Sequence, residues 1–269
     1  MHKPSSTRDY FISFFIALTL ATILSAYLLF RRGYFFDAPP TADMLYVPNK
    51  VLAGTGMAIL AFAFLIGPIA RYFNRFDNLL QLRKEIGIVG GFFALMHAIV
   101  SYFFLPLKFP QEKLDLLGVP FGAGFLGSAL LIFLFILSFK SIIARMEGKT
   151  WWFLQRWGLR IVIALTLVHV FSMKWNFWVK WIKSGGKASA ELANPWLPGA
   201  GILVSMFIAW VVIVRLYEMI FLYREFGFFS TKEIASDETL RLRGRRFFIR
   251  SFWVLMVLYF LVITRFIIW

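Results

Sequence analysis

The chain contains no cysteine. That single absence removes disulfides, zinc–thiolate sites, iron–sulfur clusters and thiol nucleophiles together, and with them any disulfide-linked partner. Histidine is nearly absent as well, with only His2, His97 and His169. Acidic residues number 14 in 269, and charged residues of both signs make up 16%. A soluble domain carries about 25% charged and about 45–50% apolar residues; here the apolar share is 60%. The missing charge points to lipid as the solvent. A soluble cofactor domain needs about 100–150 residues, and the apolar runs leave no room for one. Activities that need a Rossmann-type nicotinamide or flavin domain on this chain are therefore excluded.

What the chain does have is long apolar runs. Seven stand out, at roughly 10–30, 51–70, 86–106, 120–139, 158–173, 198–222 and 249–268. A helix crosses the hydrocarbon core with about 20 residues, so the expected fold is all-α: a polytopic transmembrane helix bundle of about seven spans. The first run is too long for a cleavable signal peptide, and Arg31 and Arg32 follow it without a small-residue cleavage site; it reads as a retained helix. Cytoplasmic loops retain Lys and Arg. With the N-terminus inside and the C-terminus outside, 19 of the 29 basic residues fall on the cytoplasmic side. The net charge of +15 is thus a topology signal rather than a nucleic-acid footprint, and the expected location is the cell inner (cytoplasmic) membrane, multi-pass. The chain divides into residues 1–50 (a span and an outer loop), 51–175 (a helical core) and 176–269 (an outer Lys/Trp segment and two C-terminal spans).

Two local features lie outside the spans. Lys174 to Lys187 reads KWNFWVKWIKSGGK, four lysines interleaved with Trp175, Trp178 and Trp181. It fits an interfacial helix with rings at headgroup depth. It also fits a docking surface for an acidic outer redox partner near Lys180, Lys183 and Lys187, because a basic patch steers association. Ser230-Thr-Lys-Glu233 has capping-box spacing and predicts a short helix in the longest cytoplasmic loop.

Ionisable side chains inside a membrane are costly and mark function by default. His97 and His169 each stand 11 residues into an apolar run, counted from Ile86 and from Gly158. At 1.5 Å per residue both imidazoles sit roughly 16 Å from the cytoplasmic edge, on helices running in the same direction. Two imidazoles without cysteine or a nearby carboxylate make a poor zinc cage, which wants four ligands. An iron already held by four porphyrin nitrogens needs only two axial ligands, and imidazole is an established one. Gly90 and Ala94 share the face of His97; either they clear space for a porphyrin or they let two helices pack closely. The bland alternative for each histidine is a hydrogen bond to a neighbouring helix.

The stretch from Gly54 to Phe103 carries a spaced pattern: GTGMAILAFAFLIGPIARYF, a short polar loop, then LRKEIGIVGGFFALMHAIVSYF. On Thr55, Gly56, Gly67, Pro68, Arg71, Arg83, Lys84, Gly87 and His97, with Pro120, Ser138, Trp151 and His169 further on, it resembles the ferric reductase-like transmembrane family. In size it is nearest to the haem-b membrane subunits of methionine sulfoxide reductase systems. The resemblance covers about residues 50–175. It implies a haem b held by His97 and His169, with electrons passing across the membrane from quinol or reduced flavin to a partner; quinone or FMN are the further cofactors it suggests. The chain would then be one component of an oxidoreductase rather than a complete enzyme. Where the family pattern places an inner histidine pair, this chain has Gln155, Arg156 and Arg83, which implies one haem per chain. Arg83, Lys84, Arg156 and Arg160 are candidates for holding propionates or a flavin phosphate, against the plainer reading of positive-inside anchoring. A reading of another class also stands at this point, a haem-free structural or assembly subunit that retains the fold. A transporter built on the Arg215/Glu218 pair is disfavoured, because both residues are near enough to the inner edge to snorkel.

Overall fold

The computed structural model describes residues 7–36, 45–107, 118–183, 197–222 and 237–268. Among them there is no strand. The elements are α1 (Thr7–Phe36), α2 (Tyr46–Phe73), α3 (Asp77–Ile99) continued by a π-helical turn (Val100–Phe104), α4 (Val119–Ile136), a one-turn α5 (Lys140–Ile143), α6 (Gly148–Lys183), α7 (Ala200–Tyr217) continued by a second π turn (Glu218–Leu222), and α8 (Glu238–Ile268). Seven of these are long and apolar enough to cross a membrane, one for each apolar run in the sequence.

α2 is the axis of the bundle. Of its span 61% is buried, against 6% for the last span, and it packs on α1, α3, α6, α7 and α8. Small residues make this possible. A Cβ built on Gly56 would lie 2.5 Å from the Ala94 backbone nitrogen, and one on Gly90 would lie 3.0 Å from the Leu60 nitrogen. These are backbone atoms that cannot step aside, so α2 and α3 touch along this seam through glycine and alanine. A core of Ala61, Phe64 and Leu65 from α2 with Ile163 from α6, Val211 from α7 and Leu255 from α8 ties the C-terminal helices to the same axis. α8 otherwise presents Trp253, Val254 and Phe260 outward, as expected of a helix whose solvent is lipid.

The helices run past the apolar limits read from sequence, and two readings change as a result. The Lys/Trp segment is not a separate interfacial helix. With no glycine or proline between Gly158 and Gly185, α6 continues through it to Lys183 over 36 residues, about 54 Å at 1.5 Å per residue and far more than the roughly 30 Å hydrocarbon core. Trp181 is buried on this extension while Trp175 is exposed, so the tryptophans do not all face outward. Lys187 lies outside the described residues, as does the Ser230–Glu233 box. The cap that the structure displays is Asp237, whose Oδ1 accepts from the Thr239 and Leu240 amides in the standard N-cap manner. α8 therefore starts eleven residues before the expected Ile249.

Candidate functional site

His97 sits near the end of α3, and its imidazole turns toward the first turn of α2. Nδ1 lies 2.8 Å from Asn49 Oδ1 and 3.2 Å from the Asn49 carbonyl oxygen. A backbone carbonyl can only accept, so Nδ1 carries the proton and donates. His169 has the same arrangement on α6: its Nδ1 is 2.5 Å from the Pro120 carbonyl oxygen, at the start of α4. Here too the acceptor dictates the tautomer. Among the described residues neither Nε2 has a hydrogen-bond partner, so each ring is left with an unprotonated, unpartnered nitrogen. Both side chains are half-buried.

The sequence supports this arrangement locally. Gly124 is one turn beyond Pro120, and a Cβ there would stand 2.9 Å from His169 Nδ1 and 3.1 Å from its Cε1. The bare Cα is what lets the ring reach the carbonyl. Asn49 and Pro120 lie in the first turns of α2 and α4, so both histidines are levelled at the same end of the bundle. No three His, Asp or Glu side chains among the described residues come together in a way that could hold a metal.

The other end of the bundle holds a layer of arginines. Glu218 is 1% exposed and is bonded through Oε1 to Arg71 of α2 and through Oε2 to Arg215 of α7. Both guanidinium groups gather beside Gly67, within 3.8 Å of where its Cβ would be, and Arg215 also stacks on Phe64 at 4.4 Å. Arg83 donates from Nε to the Ala63 carbonyl at 3.1 Å, in the turn of α2 that Pro68 weakens by having no N–H to give. Arg83 also feels the charges of Arg71, Arg156, Arg215 and Glu218. Arg71 and Arg215 thus bracket one carboxylate, and Arg83 is held one turn away on α2. The Arg215/Glu218 pair does not snorkel to an edge; it is buried and tied across helices.

The candidate residues from sequence therefore divide. His97 and His169 lie at the same end of the bundle, each bonded to the first turn of a neighbouring helix. Gly90 and Ala94 share their face but are spent on the α2 seam. Arg83 is 14 residues below His97, about 21 Å along the helix, and belongs to the arginine layer. Arg160 stacks on Trp157 of its own helix at 4.6 Å. Asn49 and Gly124 have no part in the sequence reading, and Pro120 enters it only as a position of the family pattern. Asn49 falls just outside the apolar run that begins at Val51, where a polar residue reads as loop.

No protein-family model matches the chain. Among characterised proteins it is similar to the metalloreductase STEAP3 of Rattus norvegicus, 23% identical over 200 residues, with 62% of this chain and 40% of that protein covered. The chain thus spans well under half of the relative it matches. The seven long apolar helices point to a multi-pass membrane protein.

Proposed function

We propose that the chain is a membrane haem-b electron-transfer subunit, relaying electrons from a cytoplasmic-side donor, quinol or flavin, to a partner across the bilayer. The observation that carries this reading is the matched pair of imidazoles, each with Nδ1 committed to a protein oxygen and Nε2 left over. Ligating histidines almost always donate the other ring N–H to a carbonyl or carboxylate, which orients the ring and raises its basicity. The donor set, two imidazole nitrogens with their other nitrogens already bonded, suits a haem. His97 and His169 would hold it, and when bound it supplies one-electron chemistry.

The remaining roles belong to the protein. Asn49 and Pro120 hold the two rings, and Gly124 makes room for one of them. Arg71, Arg83, Arg156 and Arg215 outnumber Glu218 and suit an anionic donor, such as the phosphate of FMN, better than propionates of a haem at the far end. Lys180 and Lys183 ride on the α6 extension and suit an acidic outer partner. The orientation with the N-terminus inside, and the division at residues 50 and 175, fit this arrangement. The metalloreductase similarity supports redox work of this kind.

Quantitative pyridine-haemochrome analysis of the purified chain tests the reading. One haem per chain is expected, because Gln155, Arg156 and Arg83 stand where a second histidine pair would be needed. No haem under reconstitution would leave the haem-free subunit as the reading; two would reveal a ligand of another type. A paired substitution on α4 tests the ring's seat. Gly124→Ala puts a methyl 2.9 Å from His169 Nδ1, whereas a Cβ at Gly122 meets nothing within 4 Å. Haem content should fall in Gly124→Ala and stay at wild type in Gly122→Ala, read from the absorption spectrum at equal protein.

A further inference from the structure

The environment of His97 is more elaborate than a single orienting bond. Asn49 is only 6% exposed, and its side chain is held from both ends. Its Nδ2 donates to Ser101 Oγ at 2.9 Å, while Oδ1 faces His97 Nδ1 at 2.8 Å. Ser101 Oγ is itself 3.3 Å from both Asn49 Oδ1 and His97 Nδ1. Ser101 is unusual in this. Ser13, Ser128, Ser138 and Ser172 each return their hydroxyl to the carbonyl four residues back in their own helix, the ordinary habit of a helical serine. Ser101 crosses to another helix instead. It lies in the π turn that begins immediately after α3, and π turns of one cycle concentrate at functional sites. The close seam at Gly56–Ala94 and Gly90–Leu60 brings α2 near enough for so short a side chain as Asn49 to reach the ring.

Among the described residues His169 has nothing comparable: its ring meets one backbone carbonyl and no polar side chain. The two rings are therefore not equivalent. His169 has a backbone acceptor alone, whereas His97 adds to the Asn49 carbonyl at 3.2 Å a closer side-chain acceptor at 2.8 Å whose strength is written in the sequence.

We infer that Asn49, clamped by Ser101, is a positioning residue that fixes the His97 ring and sets how much electron density it gives to the metal, and so tunes the site's reduction potential. This rests on the haem ligation proposed above. A stronger acceptor at Nδ1 makes the imidazole more basic and favours the oxidised metal; a lost acceptor does the reverse.

The test uses the full chain, purified and loaded with haem, with the midpoint potential taken from a redox titration followed at the α-band. Asn49→Asp should move the potential below wild type and Asn49→Leu should move it above, with the low-spin spectrum retained in both. Ser101→Ala should shift it in the same direction as Asn49→Leu, by less. A purely structural role would change haem content without this ordering. Potentials equal to wild type in the loaded Asn49 variants, or shifts in one direction for both, would overturn the inference and leave the haem site standing. Should both Asn49 variants lose haem, Ser101→Ala decides: an upward shift supports the inference and a wild-type potential overturns it. Wild-type chain that takes up no haem would overturn the site reading itself, and that is measured first.

Discussion

Changing His97 or His169 to alanine is expected to abolish the α-band of reduced low-spin haem, and each change alone should suffice. The two rings are supplied by different helices, α3 and α6, and each presents a single available nitrogen. His2 is the only other histidine in the chain, and it stands more than ninety positions from either ligand. A sulfur is near the site, since Met57 Sδ is 3.6 Å from Thr166 Oγ1, one turn before His169. Methionine can serve as an axial ligand, but Met57 sits on α2, which is locked against α3 through Gly56. Backbone contacts of that kind leave no slack for the helix to move a thioether into an empty position. Each variant should still be made in normal amounts, because both histidines are half-buried and neither closes an ion pair. Loss of the band with retained protein is the expected result; a full low-spin spectrum in either alanine variant would sink the paired-ligand reading.

How much of this was legible in the sequence depends on range. The seven spans were, because apolar length is a local property and lipid demands it of every crossing helix. The placement of His97 and His169 toward one end of the bundle was legible for the same reason, as counting residues along two helices needs no knowledge of how they pack. Helix ends were not. Charged residues are tolerated in helical extensions beyond the hydrocarbon, so the basic run from Arg241 to Arg250 read as loop and is helix, while Lys180 and Lys183 read as part of a separate interfacial helix and continue α6. Contacts between helices were less legible still. Gly90 and Ala94 share a face with His97 in any reading, but only the position of Gly56 and Leu60 on α2 reveals that their smallness serves a helix seam. Asn49 and Pro120 matter because of a ring 48 and 49 positions away in sequence, and nothing local announces it.

Glu218 is the sharpest case of this, and its removal should bring the largest loss of stability in the chain. In sequence it is an acid three residues after an arginine at the end of a span, a pair that reads as exposed. In the fold it is 1% exposed, Arg215 is 8% exposed, and the second partner, Arg71, comes from α2. Glu218→Ala would leave two guanidinium groups in the bundle without their counter-ion, beside Arg83 and Arg156. Taking one partner from a buried ion pair costs about 3–5 kcal/mol, mainly because the other charge remains desolvated. The exposed pair Glu238–Arg241, with the same spacing and a separation of 3.5 Å, is the internal control. Glu238 is 76% exposed on its side chain, and solvent-screened pairs contribute roughly 0–1 kcal/mol. Thermal unfolding in a single detergent should therefore show a large fall in midpoint for Glu218→Ala and little change for Glu238→Ala. Glu218→Gln should lie between the two, since the amide oxygen still accepts a hydrogen bond while the charge is lost. The double variant Glu218→Ala with Arg215→Ala should recover part of the loss, because one of the stranded cations is gone. Equal midpoints for the two single alanine variants would mean that the arginine layer is wet, with water rather than Glu218 holding its charges in place.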